Sequence, residues 1–356
     1  MSNNNITNRV VWLVLFILLA GGSLLLMSGC GGGGAEAPQP HKIAFLVEDP
    51  VYSNIIEGFK AGMADLGYVE GENITYLEMF YNDPEIQEDF SEMAPDYSNM
   101  IELNQQFVRK RFLDEQVDLV VTADSPTTYV IAMGDETGEL PIVFTYATGT
   151  EAWEEIESYA QPGGRITGVT SGIDESTGKR MEILQKMSPD IKKVLWVYWP
   201  GLTVVTPTLE LHRETADTLG LELVERPWDG TVPVSDILDT IEPGEVDAVF
   251  GEVATIYQDI EGFTELIERD RLPNISTVEF PAALAIYSVD RYKSGQQAAR
   301  KADQILRGAD PGSLPIEFPN KIELTIDMGV AQKLGLTIPE EVLRTADKVI
   351  PAEGGN

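Results

Sequence analysis

Cysteine is nearly absent from this 356-residue sequence: Cys30 is the only one, so no disulfide can form within the chain. Histidine is almost as rare, with two residues, and neither a His-Glu-x-x-His motif nor a cysteine pair occurs, so we expect no metal. Gly-x-Ser-x-Gly is missing, and no Gly-x-Gly-x-x-Gly follows the first predicted strand, Lys42–Val47. The hydrolase and dinucleotide-binding motifs are therefore absent, and we expect neither a cofactor nor catalysis.

Basic residues are scarce relative to acidic ones. The chain has 25 lysines and arginines against 58 aspartates and glutamates, which gives a net charge of −33. An acidic surface repels the phosphate backbones of DNA and RNA, so nucleic acid is excluded as a partner. We interpret the acidity as a property of the solvated surface that favours solubility; a specific cationic partner is the alternative.

One long apolar run is present, Val10–Met27, and it is short for a membrane-spanning helix. The segment Leu26–Cys30 at its end resembles the lipobox of bacterial lipoproteins. The resemblance implies a signal peptide over residues 1–29, cleavage before Cys30, and a lipid on its thiol that anchors the protein to a membrane. An uncleaved N-terminal anchor is the alternative, and both place the folded part outside the cytoplasm. Residues 30–41, which include four consecutive glycines, are expected to be a flexible tether.

The remaining sequence contains one α/β pattern twice. Val117–Thr122 is an apolar run rich in β-branched residues, typical of a buried parallel strand, and Val246–Phe250 repeats it. Upstream, Lys42–Val47 has a counterpart in Lys193–Tyr198. Ser125, in the loop after the first run, is predicted to cap a helix. Two similar units predict an α/β fold of two Rossmann-like lobes with parallel sheets and a cleft between them.

The first unit carries an insertion. Lys42 and Val117 are 75 positions apart, whereas Lys193 and Val246 are only 53 positions apart. The acidic segment Phe80–Met100, which contains several aromatic residues, is the expected site of the extra chain. It is interpreted either as a surface excursion or as a lid over the ligand.

The loops at the carboxyl ends of the predicted strands carry hydroxyl, aromatic and acidic side chains. Ligands of open α/β sheets bind at these ends. Hydroxyls beside helix N-termini suit an anionic group, aromatic rings provide flat apolar walls, and a glutamate can neutralise an ammonium. The expected ligand-binding residues are Tyr52, Ser53, Ser125, Thr127, Tyr146, Thr148, Tyr198, Trp199, Glu252 and Glu279. For each of these residues alone, loop capping or core packing is the alternative.

Further short sequence segments occur in order along nearly the whole chain. They are Glu57–Gly62, Leu66–Ile74, Val117–Val121, Leu140–Thr145, Pro162–Val169 and Ala331–Pro339. Together they make residues 42–350 resemble the extracytoplasmic substrate-binding proteins of ABC transporters, specifically the tryptophan/tyrosine-type family. The resemblance implies a type I periplasmic-binding-protein fold, in which two lobes joined by a hinge of three crossovers close over a ligand and release it unchanged.

The resemblance also implies lobe boundaries and site positions. Lobe 1 would comprise residues 42–165 and about 281–312, and lobe 2 residues 166–280 and about 313–350. By position, the family's ligand loops map onto Ser125, Thr127, Thr145–Thr148, Tyr198, Trp199 and Glu279, which adds Thr145 to the expected site. The family often reads Thr-Asp-Pro after the strand that ends at Thr145, whereas this chain has Thr-Gly-Thr at residues 148–150, so the usual carboxylate is missing.

These observations lead to one main hypothesis. The chain is expected to be a monomeric, lipid-anchored substrate-binding protein of an ABC importer, which hands a small organic ligand to the transporter permease. An aromatic or amino-acid-like ligand is the expected class. The alternative is a ligand-sensing lipoprotein that partners a membrane histidine kinase or a chemoreceptor. An enzyme is the least favoured interpretation.

Overall fold

The computed structural model describes residues 40–47, 50–80, 111–112, 114–132, 140–150, 153, 156–200 and 206–352. The predicted signal peptide, Cys30 and most of the predicted tether lie outside these residues, as does the predicted insertion after Phe80. No helix within the described residues is both long enough and apolar enough to cross a membrane. From Pro40 onward the chain forms one compact unit.

Five parallel strands form the first sheet. They are β1 (His41–Val47), β2 (Ile74–Phe80), β3 (Leu119–Ala123), β4 (Ile142–Ala147) and β5 (Ile166–Thr170), in the spatial order β2-β1-β3-β4-β5. Phe45 lies beside Val121, and Val121 lies beside Val143. The central strands are buried along their whole length, which explains their nearly continuous apolar sequences.

Seven strands form the second sheet. They are β6 (Lys193–Tyr198), β7 (Glu222–Pro227), β8 (Ala248–Phe250), β9 (Asn274–Ser276), β10 (Ala285–Val289), β11 (Ile322–Asp327) and β12 (Lys348–Ile350), in the spatial order β12-β11-β10-β9-β8-β6-β7. All neighbouring pairs are parallel except β10 and β11. The prediction of an α/β fold with mainly parallel sheets is confirmed.

Ten α-helices that have both ends within the described residues connect and cover these strands. They are α1 (Ser53–Asp65), α2 (Ser125–Ala132), α3 (Ile173–Met187), α4 (Thr206–Leu219), α5 (Val234–Leu238), α6 (Val253–Ile256), α7 (Ile260–Asp270), α8 (Arg291–Leu306), α9 (Met328–Leu334) and α10 (Glu340–Thr345). Short 3-10 turns occur at Pro50–Tyr52 and Pro311–Ser313. We refer to residues 40–170 as the first half of the chain and to residues 171–352 as the second half.

Each sheet has its own apolar core. In β1, Phe45 and Val47 belong to the core on one face of the first sheet, whereas Ala44 and Leu46 belong to the core on the other face. This is the alternation with period two that a strand imposes. The second sheet has one large core, in which Trp196 of β6 is fully buried.

Helix α8 links the two halves. It begins directly after β10 of the second sheet but packs against α1 and against β4 and β5 of the first sheet. The helices approach closely because small residues face each other: a Cβ added at Gly58 would overlap the carbonyl oxygen of Tyr292, and one added at Gly295 would overlap that of Ile55.

Sheet membership differs from the lobe boundaries given above at two strands. β5 belongs to the first sheet, because Ile166–Val169 continues the ladder of β4, so the chain leaves this sheet after Thr170 and not at residue 165. β10 belongs to the second sheet, because it pairs with β9 and β11. From the predicted segment 281–312, α8 and the start of the 3-10 turn at Pro311–Ser313 pack on the first half.

Candidate functional site

The loop after β3 is shaped by Asp124. This residue has a φ of 138°, in a region that non-glycine residues rarely adopt. Its carboxylate accepts hydrogen bonds from the backbone N–H of Thr127 at 2.7 Å and from the Thr127 hydroxyl at 2.6 Å. Asp124 therefore caps α2. The prediction that Ser125 caps this helix is wrong, because Ser125 is already its first residue.

Ser125 instead joins neighbouring loops at the carboxyl edge of the first sheet. Its Oγ accepts a hydrogen bond from the backbone N–H of Thr148 at 2.8 Å. The Thr148 hydroxyl in turn lies 2.8 Å from the Ser171 hydroxyl. The loops after β3, β4 and β5 are thus tied together by small hydroxyl groups. Thr145, at the end of β4, is fully buried, and its hydroxyl has no hydrogen-bond partner within the described residues.

Two tyrosines and one arginine form a cluster at the same edge. The ring centroids of Tyr52 and Tyr146 are 5.8 Å apart, with the rings inclined at 52°. The guanidinium carbon of Arg291 lies 5.0 Å from the centre of the Tyr52 ring and 4.8 Å from that of the Tyr146 ring. Both distances are within the range of a cation–π interaction. Because Arg291 begins α8, this cluster, which we call the Tyr–Arg cluster, contains residues from both halves.

In the second half, a charged cluster surrounds Glu252, which follows β8 and precedes α6. Its Oε1 lies 3.1 Å from His212 Nε2 and 3.8 Å from an Nη of Arg180. His212 and Arg180 are buried, whereas 16% of the Glu252 side chain is exposed. Burial raises the pKa of Glu252, but Arg180 and His212 together outweigh burial and hold the pKa below its ordinary value. Glu252 therefore carries a charged carboxylate at this edge, held by two buried partners.

Tyr198 ends β6 beside this charged cluster, and Trp199 follows the strand. The Tyr198 ring stacks on Trp196 at 4.2 Å, and its hydroxyl donates to Glu225 at 2.8 Å. Arg213 donates to the same carboxylate at 2.8 Å. Burial and the hydrogen bond to Glu225 raise the pKa of Tyr198. Its hydroxyl is therefore engaged within the second half and donates to a protein group.

The predicted site residues fall into two groups. The structure brings Tyr52 together with Tyr146, and Ser125 with Thr148. Other predicted residues serve their own loops: the Ser53 hydroxyl donates to the Pro50 carbonyl at 2.5 Å. Further along the chain, the Trp199 ring packs at 4.9 Å against Trp228 on the second half. Glu279 is exposed.

Sequence reasoning missed Arg291, Arg180, His212 and Tyr257, each of which contacts a cluster described above. Arg291 directly follows a predicted strand that ends at a carboxyl edge, and that position is the one signal that pointed to it. His212 is buried, and its partner Glu252 is 40 residues away in sequence. Within the described residues, no group of three or more histidine, cysteine or carboxylate side chains is placed to hold a metal ion.

Two mainly parallel sheets with chemically varied loops at their carboxyl edges define a ligand-binding protein of α/β type. The chain belongs to the family of ABC transporter substrate binding proteins, whose family model matches residues 42–350. Proteins of this family bind their substrate and do not convert it, and they act outside the cytoplasm.

Known proteins resemble the chain over most of its length. The "Tyrosine-binding protein" of Clostridioides difficile (strain R20291) is 22% identical over 298 residues, which are 83% of this chain and 80% of that protein. A Streptococcus pneumoniae ABC domain solved in complex with L-Trp has a TM-score of 0.73 and 22% identity, and the match covers 88% of this chain and 100% of that one.

A Vibrio cholerae conserved domain protein has a TM-score of 0.73 and 25% identity, and the match covers 87% of this chain and 100% of that one. A ligand-free, open substrate binding protein with adhesive properties from Clostridium difficile has a TM-score of 0.66 and 19% identity, over 88% of this chain and 99% of that one. These likenesses confirm the prediction of a type I periplasmic-binding-protein fold.

Proposed function

We propose that this protein is the lipid-anchored substrate-binding component of an ABC importer and that its ligand is an aromatic amino acid or a close analogue. The observation that carries the proposal is the Tyr–Arg cluster, in which the faces of Tyr52 and Tyr146 stand beside a residue of the second half. The names of two relatives, one tyrosine-binding and one solved with L-Trp, support the same ligand class.

The ligand would lie between the two halves, against the carboxyl edges of both sheets. Aromatic rings provide broad apolar contact area for an aromatic ligand. Glu252 offers a charged carboxylate for the ligand's ammonium group, in place of the aspartate that the family often carries after β4. Closure of the two halves about the crossovers that include α8 would trap the ligand, as hinge proteins of this class do.

The lipid anchor would hold the protein beside the permease. Acyl chains on Cys30 would keep the folded part at the membrane surface. Residues 31–39 would act as a tether that lets the folded part extend away from the membrane. The binding protein would then release its ligand unchanged to the transporter. A monomer suffices for this role, because the proposed cleft is formed by one chain.

A thermal-shift screen of the purified protein tests the proposed ligand class. The panel contains L-tyrosine, L-tryptophan, L-phenylalanine, the aliphatic amino acids, ribose and 5-methylthioribose. We expect an aromatic amino acid to raise the melting temperature, because a ligand at 100 times its Kd stabilises the bound state by about 2.7 kcal/mol. A shift with the sugars alone would refute the ligand class, and turnover of any bound compound would refute the binding-protein role.

A further inference from the structure

Arg291 occupies a position at which a ligand is expected to meet the protein. It directly follows β10, which runs parallel to β9, so it stands at the carboxyl edge of the second sheet. Through α8 it also reaches the carboxyl edge of the first sheet, where Tyr52 and Tyr146 lie. Arg291 therefore faces both sides of the proposed cleft.

The N–H donors of Arg291 make few hydrogen bonds of ordinary length. A guanidinium has five N–H donors in a planar fork. Its two nitrogens Nη1 and Nη2 contact the carbonyl oxygen of Val51 at 3.4 Å and the hydroxyl of Tyr146 at 3.5 Å. Both distances are well beyond the usual 2.7–3.2 Å of an N–H···O bond. The Tyr257 hydroxyl, at the end of α6, is a further partner. All these partners are neutral.

The charge environment makes this arrangement unusual. The chain has 58 acidic residues for 25 basic ones, and other arginines form ion pairs with them. Arg213 and Arg269, for example, each contact a carboxylate within 2.8 Å. No carboxylate of the described residues lies within ion-pair distance of Arg291, although its side chain is half-buried. Burial lowers the pKa of Arg291, but its interactions with Tyr146 and Tyr257 outweigh burial and raise the pKa above its ordinary value.

A half-buried cation without a counter-ion is costly. The cost is increased here because Arg291 lies in the first turn of a 16-residue helix, where the helix dipole disfavours positive charge. An arriving anion would remove both penalties. A carboxylate matches the guanidinium fork, since its two oxygens can accept two parallel hydrogen bonds.

We propose that Arg291 binds the carboxylate of the ligand, with the rings of Tyr52 and Tyr146 against the ligand's apolar body. The assignment rests on the proposed function and adds to it: the ligand is recognised as a carboxylic acid with an aromatic side chain, and the corresponding amines bind more weakly. Tyr257 connects Arg291 to α6, which begins directly after Glu252, so the acid-binding and ammonium-binding groups lie at the two ends of one short helix.

Calorimetry with three related ligands tests the assignment. L-Tyrosine has both charged groups, tyramine lacks the carboxylate, and 3-(4-hydroxyphenyl)propionate lacks the ammonium; the corresponding indole compounds are measured in parallel. We expect the wild-type protein to bind both acids more tightly than the amine. In Arg291→Gln, the affinity for the acids falls about 10- to 150-fold, because a hydrogen bond to a charged group contributes about 1.5–3 kcal/mol. The affinity for the amine stays nearly constant.

Two further variants control for charge and for folding. Arg300→Gln removes the same charge from an exposed position nine residues further along α8, and we expect it to keep the preference for acids. Arg291→Lys keeps the charge but loses the planar fork, so its affinity for the acids should lie between those of the wild type and Arg291→Gln. Circular dichroism and melting temperature establish that each variant is folded, and Arg291→Lys decides the matter if Arg291→Gln does not fold.

The outcomes separate this inference from the proposed function. If the wild type binds the aromatic acids and the Arg291 variants keep the full preference over the amine, the role of Arg291 is refuted while the proposed function stands. If the wild type binds tyramine as tightly as tyrosine, the carboxylate is not recognised and the inference is again refuted alone. If the wild type binds no member of either series, both are refuted.

Discussion

Single residues at the carboxyl edges set the electrostatic character of the proposed site. Glu252 is the clearest case, because its charge is maintained by two buried partners, Arg180 and His212. The His212 ring also stacks on Trp196 at 4.8 Å, so the charged cluster is fixed by aromatic packing. Removing one member of such a cluster leaves the other charges buried and uncompensated.

We therefore predict that Glu252→Gln lowers the free energy of unfolding, by an amount that depends on pH. The pKa of Glu252 is lowered in the folded protein, so its charge stabilises the fold above the unfolded-state pKa of about 4.3 and loses this effect as pH falls through the folded pKa. At pH 7 the variant should lose about 3–5 kcal/mol in urea unfolding. The difference from wild type should shrink as the pH falls below about 4.3.

Glu222→Gln serves as the matched control, because Glu222 is exposed on β7 of the same sheet. Its free energy of unfolding should stay within about 0.5 kcal/mol of wild type at pH 7. A Glu252→Gln deficit that stays constant from pH 7 to pH 3 would show that the lost stability comes from packing and not from charge.

At the scale of elements, the contact between α1 and α8 positions Arg291. The two helices approach each other through Gly58, Gly62 and Gly295, at which an added Cβ would overlap or crowd atoms of the facing helix. Ala298, Ala299 and Ala302 of α8 are fully buried beside them. Small residues on both helices therefore allow a helix that follows a strand of the second sheet to lie directly on the first half.

We predict that Gly295→Ala destabilises the protein by about 1–3 kcal/mol, because the new methyl group would overlap the backbone of α1. It should also weaken binding of the aromatic acids, since Arg291 lies one turn earlier in α8. Gly178→Ala in α3 is the control: the nearest atom to its added Cβ is 3.9 Å away, at Thr215. That variant should gain about 0.4–1 kcal/mol, through the lower entropy of its unfolded chain. Equal urea midpoints for the two variants would contradict the close approach.

The elements that the sequence predicts well are those with a local cause. The apolar run before Asp124 is buried in the centre of the first sheet as expected, because a nearly continuous apolar run rich in β-branched residues is typical of a buried parallel strand. The cap of α2 was misassigned by one residue, because Asp124 caps from a backbone conformation that its residue type does not reveal. The position of Arg291 after a predicted strand was a signal, but its contacts with Tyr52 and Tyr146 could not be predicted, because they depend on the packing of α8.

At the scale of the whole molecule, the strongly negative charge and the proposed anchor act together. A net charge of −33 repels anionic lipid surfaces, so the folded part is not expected to remain at a membrane by electrostatic attraction. Membrane retention must then come from the N-terminal segment. The proposed acylation of Cys30 supplies it.

We predict that Cys30→Ser abolishes lipid attachment. The variant should leave the membrane fraction or accumulate with its first 29 residues uncleaved, as seen by fractionation and intact-protein mass spectrometry. Its ligand affinity should match that of the wild type, because the substitution is confined to the N-terminal segment. A Cys30→Ser protein that is cleaved and retained as in the wild type would rule out a thiol-linked lipid.

The placement of α8 has a consequence for how this architecture can be divided. By sequence α8 belongs to the second half, yet its apolar face fills the core that contains Phe45 and Phe59. A polypeptide ending at Thr170 would leave that core open to water. A polypeptide starting there would expose the apolar face of α8 to solvent. Neither half of the sequence can therefore be inherited as an independently folding unit. An exchange of lobes between relatives therefore needs several junctions in the gene, whether it occurs by natural recombination or by engineering. A single junction would not suffice.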